Sequence, residues 1–159
     1  MAVTDNFLLG SLIFLPVLSL VSYLLVGLWI SYASKNNFLD VPNMRSSHSV
    51  PTPIGGGIPV YFLFTASLIC LFCLSHIDFN YFIALLVGGF LVGCIGFLDD
   101  SLKLSPWLRL LIHFSASIFS LSVLNGLDSI SVYSYVIEPP LLRNILAVFF
   151  LVWMINLYN

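Results

Sequence analysis

The chain has 159 residues, of which 60% are hydrophobic and 8% are charged. Soluble domains usually hold about 45–50% apolar and about 25% charged residues. Five basic and seven acidic side chains could not cover a soluble surface of this size. The composition therefore excludes a disordered protein, a secreted disulfide scaffold and a nucleic-acid binder. The formal net charge of −2 decides little, because the position of the basic residues matters more than their sum.

Five long runs of the sequence contain no Asp, Glu, Lys or Arg, and each predicts a transmembrane helix. A bilayer core takes about 20 apolar residues as a helix, with a range of about 17–25. We therefore predict an all-α polytopic membrane protein with about five transmembrane helices in a single integral-membrane domain. In chain order the spans are predicted at about 7–32, 55–74, 81–98, 107–124 and 141–158.

Two local signals refine the predicted boundaries. Pro106 favours a helix start, because its missing N–H would be unpaired there in any case. The stretch from Ile130 to Val136 alternates weakly between apolar and polar residues, which is typical of a short strand or one arm of a hairpin.

Basic residues in short loops predict which loops face the cytoplasm. The loops after the first and third spans, with the start of the fourth, carry four basic residues, and the opposite side carries only Arg143. We therefore predict an outside N-terminus and a cytoplasmic C-terminus. Three polar clusters then meet at the cytoplasmic face. The four basic residues are Lys35, Arg45, Lys103 and Arg109.

The first polar cluster is the acidic pair Asp99-Asp100 at the end of the third predicted span. Mg²⁺ prefers one or two carboxylates together with phosphate oxygens and water. Lys103 lies four positions after Asp99 and three after Asp100, and it shares a face with the carboxylates if the segment is helical. The alternative is a solvated turn that ends the span.

The second cluster is Arg45-Ser46-Ser47-His48, followed by the glycines 55–57. An arginine with two hydroxyls and a histidine suits anion binding, and glycines let a backbone or a ligand approach closely. The alternatives are a topology anchor with turn residues for the first group, and tight helix packing for the glycines.

Two further groups of polar residues lie in or beside the last two predicted spans, and the second of them is the third polar cluster. Arg109 and His113 are four apart in the fourth span, and ionisable residues in a span are functional candidates by default. Arg109 could instead extend its head group to the interface. Asn156 and Asn159 are three apart at the end of the chain, and their alternative is a polar helix end.

Three motifs resemble those of the polyprenyl-phosphate N-acetylhexosamine-1-phosphate transferases, which are glycosyltransferase family 4. The loop from Asp40 to His48 and on to the glycines 55–57 resembles the first cytoplasmic loop of that superfamily. Residues 96–103, Gly-Phe-Leu-Asp-Asp-Ser-Leu-Lys, look like its aspartate pair. Residues 156–159, Asn-Leu-Tyr-Asn, are similar to the opening of its Asn-x-x-Asn-x-x-Asp-Gly motif. The sequence of the first loop looks most like that of the branch that initiates O-antigen synthesis.

The chain departs from the pattern at two points. Ile54 stands where that branch usually has an arginine before the glycines. The sequence also stops at Asn159, before the Asp and the His-rich loop that the resemblance places further on. The resemblance therefore implies the N-terminal half of a longer transferase, and we expect no transfer by these 159 residues alone.

The resemblance implies transfer of an N-acetylhexosamine-1-phosphate from a UDP-N-acetyl sugar to undecaprenyl phosphate, with Mg²⁺ as cofactor and Mn²⁺ as the alternative. It implies a multi-pass protein of the bacterial inner membrane whose active face is cytoplasmic. A second copy of the chain, or a complementing C-terminal half, is a further expected partner. The resemblance also implies that Asp99 and Asp100 are catalytic and hold the metal. The residues that it implies bind substrate and phosphate are Arg45, Ser46, Ser47, His48, Lys103, Asn156 and Asn159.

Two other classes of function stay open on the residues alone. One is a catalytically inactive membrane fragment. The other is a small membrane assembly or transport subunit, in which the charged clusters only set the topology.

Overall fold

The structure, a computed structural model, describes residues 2–42, 49–132 and 135–158. About three quarters of the described residues are helical. The helices are α1 (Ala2–Lys35), α2 (Gly57–Cys73), α3 (Phe79–Leu102), α4 (Pro106–Val123) and α5 (Pro140–Tyr158). Two antiparallel pairs of short strands lie in the connections: β1 (Leu39–Asp40) with β2 (Thr52–Pro53), and β3 (Ile130–Val132) with β4 (Tyr135–Ile137).

The prediction of an all-α polytopic membrane protein is confirmed. Four of the described helices, α1, α3, α4 and α5, are long and apolar enough to cross a bilayer. Helix α2 has 17 residues and is therefore about 25 Å long, which is at the lower limit for a span. The orientation and the single-domain organisation stay predictions.

The chain divides into two compact units, Met1–Leu63 and Phe64–Asn159, with the division inside α2. In the first unit, the carboxyl end of α1 holds the strands that follow it. Asn37 adopts φ 59°, and the Phe38 N–H donates to the Ala33 carbonyl oxygen at 2.9 Å. Asn tolerates this left-handed conformation better than most residues. The turn brings Phe38 to β2, where its carbonyl accepts from the Ile54 N–H at 3.0 Å.

The glycines 55–57 follow β2 and differ in what they require. Gly55 is buried with φ 76°, a conformation that favours glycine. A Cβ at Gly56 or Gly57 would meet no atom of the described residues within 4 Å. The Trp29 indole N–H donates to the Ile54 carbonyl oxygen at 2.9 Å and ties this segment to α1. In the described part of the chain, tight helix packing therefore does not explain Gly56 and Gly57.

In the second unit, α3 and α4 form an antiparallel hairpin with small residues along its seam. The Ser120 hydroxyl of α4 donates to the Ala84 carbonyl oxygen of α3 at 3.1 Å. A Cβ at Gly88 would overlap the Ser120 Oγ, so a larger residue there would force the Ser120 hydroxyl to move. Small residues let membrane helices approach closely, because packing rather than the hydrophobic effect holds them together in lipid.

Helix α4 begins as its sequence predicts. Pro106 is in the first turn, and the Ser105 hydroxyl at the N-cap accepts from the Leu108 N–H at 3.3 Å. This bond satisfies one of the free N–H groups of the first turn. The cap fixes the direction in which α4 returns along α3.

Helix α5 packs against α4 after the β3–β4 hairpin. The Phe114 and Phe149 rings meet edge to face with their centroids 5.4 Å apart. In the hairpin, Ile130 pairs with Ile137 and Val132 with Tyr135. The weak alternation seen in the sequence therefore does mark a strand pair.

Candidate active site at the α3–α4 turn

The acidic pair lies in the last turn of α3 rather than in a turn beyond it. The third span was predicted to end at residue 98, but the helix continues to Leu102. Lys103 is the C-cap, with φ 51°, and its backbone N–H donates to the Asp99 carbonyl oxygen at 2.8 Å. The helix therefore presents both carboxylates, while Lys103 leaves the helical path and does not continue their face.

Asp99 and Asp100 face different surroundings. The Asp99 side chain is 19% exposed and points toward α4, whereas Asp100 is exposed. Adjacent helical residues are separated by about 100° around the axis because a turn holds about 3.6 residues. The pair therefore supplies one carboxylate inside the helix hairpin and one at its surface.

Asp99 forms an ion pair with Arg109 across the hairpin. The Arg109 Nη1 lies 2.5 Å from the Asp99 Oδ2, and the Arg109 side chain is 31% exposed. Three residues, 103–105, connect the two helices, so the first turn of α4 lies beside the last turn of α3. Arg109 stands out in the sequence as an ionisable residue within a span, whereas its pairing with Asp99 was not predicted, although the short turn was a signal for it.

Both members of the ion pair lie at the unfavourable end of their own helix. A carboxylate is destabilising near a helix C-terminus and a cation near an N-terminus, by about 0.3–1 kcal/mol each at exposed sites. Asp99 is in the last turn of α3, and Arg109 is in the first turn of α4. The ion pair offsets both effects, but the simplest stable hairpin would carry neither charge here.

A second polar group lies one helical turn deeper. His113 is 1% exposed, and the Asn156 side chain of α5 lies beside it. Asn156 also donates from Nδ2 to the Val152 carbonyl oxygen at 2.7 Å. Among the described residues, the His113 Nδ1 has no hydrogen-bond partner. The structure thus brings Asn156 of α5 beside His113 of α4.

Several predicted site residues lie outside the described residues. They are Arg45, Ser46, Ser47, His48 and Asn159. Their roles stay predictions. Of the predicted site, the structure assembles Asp99, Asp100, Lys103 and Asn156 within the second unit.

The donor chemistry of the acidic pair fits a magnesium ion. Mg²⁺ is usually bound by one or two carboxylates and completes its six positions with substrate phosphates and water. The described residues hold no group of three or more His, Cys, Asp or Glu side chains that could form a protein-only metal site. Asp99 and Asp100 would therefore hold the ion only together with phosphate oxygens and water.

The same stretch of the chain carries a family signature. Residues 82–159 match the family model of glycosyl transferase family 4. The match supports the glycosyltransferase family 4 superfamily within the carboxyl-terminal part of the chain. No curated protein and no solved structure matches the chain significantly.

The family 4 match covers α3 from Phe82 onward, α4 and α5. It therefore contains the acidic pair, Arg109, His113 and Asn156. The predicted resemblance is confirmed at the level of the family, and it supports a transferase of the polyprenyl-phosphate sugar-1-phosphate kind. The first loop, with its Arg-Ser-Ser-His sequence, lies outside the matched residues.

Proposed function

We propose that the chain carries the active-site face of a polyprenyl-phosphate N-acetylhexosamine-1-phosphate transferase. The observation that carries the proposal is the position of Asp99 and Asp100, at the end of a membrane-spanning helix and inside the residues that match family 4. The proposed donor is a UDP-N-acetyl sugar, the acceptor is undecaprenyl phosphate, and the product begins a cell-envelope glycan such as O-antigen.

The proposed reaction is a phosphoryl transfer. An oxygen of the lipid phosphate attacks the β-phosphorus of the UDP-sugar, and the bond from that phosphorus to the bridging oxygen breaks. UMP leaves with the bridging oxygen, and the sugar-1-phosphate becomes part of a lipid diphosphate. The second pKa of a phosphomonoester is near 6, so the attacking oxygen is already ionised near neutral pH. The protein therefore needs to position groups and neutralise charge rather than to supply a strong base.

The proposed roles follow from residue type and position. Asp99 and Asp100 would hold a Mg²⁺ ion and orient the lipid phosphate, and Lys103 would neutralise phosphate charge at the helix end. A bound Mg²⁺ would stabilise charge on the diphosphate and on departing UMP. Asn156 orients a ligand from α5, beside His113.

The first loop and the end of the chain complete the proposal from the sequence resemblance. Arg45, Ser46, Ser47 and His48 bind phosphate, and Asn159 orients ligands together with Asn156. These groups act together only if they share the cytoplasmic face of the bacterial inner membrane, as the distribution of basic residues predicts.

The test is release of UMP from UDP-N-acetylglucosamine and undecaprenyl phosphate in the presence of Mg²⁺. The complete reading frame that contains these residues is expressed in a host lacking its own transferase, and its membranes are assayed. We expect turnover by the wild type. We expect a fall of about 100-fold or more in Asp99→Asn and in Asp100→Asn, because metal charge stabilisation contributes several kcal/mol.

Asp78→Asn is the matched control. Asp78 occupies the N-cap position at the opposite end of the same helix, where its side chain is exposed and makes no capping hydrogen bond. The Asp78→Asn variant should therefore keep the wild-type rate. Near-wild-type rates for both site variants at saturating Mg²⁺ would contradict the assignment. Absence of turnover with every UDP-N-acetyl sugar would contradict the function.

A further inference from the structure

A role in metal binding does not by itself explain why Asp99 forms an ion pair with Arg109. Asp99 has a cationic partner within the protein, the Arg109 guanidinium at 2.5 Å. A metal ion and this guanidinium would compete for the same carboxylate, because both are cations that neutralise it. The competition would weaken metal binding for as long as Arg109 stays on Asp99.

The ion pair is also open to exchange. Its side chains are 31% and 19% exposed, so water reaches them and the attraction is modest compared with that of a fully buried pair. A divalent ion interacts more strongly with a carboxylate than a single positive charge at the same distance does, because the Coulomb energy scales with charge. Mg²⁺ should therefore displace Arg109 rather than be excluded by it.

A displaced Arg109 would need another anion nearby. Its backbone is fixed in the first turn of α4, where the N–H donates to the Ser105 carbonyl oxygen at 3.3 Å. At that position the helix dipole disfavours a lone cation, and one turn deeper lies the buried His113. A phosphate arriving with the metal satisfies this need, because the planar guanidinium matches phosphate oxygens as well as it matches a carboxylate.

We propose that Arg109 is an exchangeable counter-ion: it neutralises Asp99 in the empty site and moves to a phosphate of the sugar nucleotide when the metal binds Asp99. This rests on the proposed function for the identity of the phosphate donor. It explains why an arginine occupies the unfavourable end of α4, since the same side chain serves the empty and the occupied site. It also couples binding of the metal to binding of the sugar nucleotide. The metal frees Arg109 to bind phosphate, and the phosphate removes the guanidinium that competes with the metal for Asp99.

The decisive variant is Arg109→Gln in the complete reading frame, purified in detergent. Binding of Mn²⁺ alone is measured from the electron paramagnetic resonance signal of the free ion. Loss of the competing cation should tighten Mn²⁺ binding by about two- to fivefold, the range expected for a partly exposed ion pair. A purely structural role for Arg109 predicts weaker or unchanged binding, and either result would overturn the proposal.

The second readout is kinetic. In the same variant, the KM for the UDP-sugar should rise by about tenfold or more, because a charge-assisted hydrogen bond to phosphate is lost. Arg109→Lys keeps the charge and should restore both the Mn²⁺ affinity and part of the KM. An unchanged KM in Arg109→Gln would overturn the phosphate contact.

Arg143→Gln is the matched control. Arg143 is at the start of α5, where Nη1 donates to the Glu138 carbonyl oxygen at 3.3 Å, and its loss should alter neither readout. The Mn²⁺ titration does not depend on turnover. An enzyme without transferase activity would thus contradict the proposed function, while the sign of the Mn²⁺ shift would still decide whether Arg109 competes with the metal.

Discussion

The two ends of the α3–α4 hairpin are built on opposite principles. At one end, Ala84, Gly88 and Ser120 bring the helices together through small side chains and one interhelical hydrogen bond. At the other end, Asp99 and Arg109 carry full charges, each against the dipole of its own helix. The first end holds the helices in place, while the second gives up some stability. Charges that stability does not need are expected where a ligand is bound.

The packed end and the charged end of the hairpin are predicted to lie on opposite sides of the membrane. Cysteine labelling at Ser101 should report the cytoplasm, whereas Asn80 and Ser129 should report the outside; the loop residue Ser47 should agree with Ser101. The expected effect is all or none, because a permeable reagent labels every site and an impermeable one only those outside. Labelling of Ser101 and Ser129 from the same side would contradict the prediction that the charged end and the packed end lie on opposite sides of the membrane.

The charged end should matter for activity far more than for stability. The double variant Asp99→Asn with Arg109→Gln removes both charges together, so neither is left unpaired. We expect UMP release to fall by about 100-fold or more, while the free energy of unfolding changes by less than about 1 kcal/mol. Both are measured on the same preparation, the second by SDS titration in mixed micelles. A loss of several kcal/mol of stability would show that the pair serves the fold.

The packed end should show the reverse pattern. Gly88→Ala places a Cβ against the Ser120 hydroxyl and breaks its bond to the Ala84 carbonyl oxygen, which should cost about 1 kcal/mol of unfolding free energy. Mn²⁺ affinity should stay at the wild-type value, because the acidic pair is untouched.

The neighbouring glycine is the control for that variant. A Cβ at Gly89 would lie 3.5 Å from the Phe64 ring, which is ordinary contact, so Gly89→Ala should be close to neutral. Removing the hydroxyl as well, in Gly88→Ala with Ser120→Ala, should recover part of the loss. Equal effects of the two glycine variants would contradict the close approach at Gly88.

The smallest expected effect concerns the turn that joins the two helices at the charged end. Ser105→Ala removes the hydroxyl that accepts from the Leu108 N–H, and losing such a cap costs about 0.5–2 kcal/mol. The bond is exposed and 3.3 Å long, so we expect the lower part of that range in the same SDS titration. Ser101→Ala is a control in the same turn region, because within the described part of the chain the Ser101 hydroxyl bonds only to the Phe97 carbonyl oxygen of its own helix. A loss for Ser101→Ala as large as that for Ser105→Ala would show that the cap has no special role.

Much of the fold could be predicted from the sequence because a bilayer imposes simple rules. Uncharged runs of about 20 residues must be helices, since a chain in lipid has to satisfy its own backbone hydrogen bonds. Pro106 marked the start of α4, and the weak alternation from Ile130 marked a strand pair. The end of α3 was placed four residues too early, because the prediction ended the span where the charges begin. A helix that leaves the membrane continues as long as its last carbonyls find partners, and here Lys103 supplies one.

The membrane class, the helices and the presence of an acidic pair in the stretch that matches family 4 could be predicted from the sequence alone. These depend on composition and on local order along the chain, which a sequence contains directly. Three features depend instead on how the helices pack: Asp99 and Asp100 have different surroundings, Arg109 neutralises Asp99, and Asn156 lies beside His113. Such pairings depend on how each helix is rotated about its axis. That rotation is set by close contacts such as the one at Gly88, and no single helix specifies it alone.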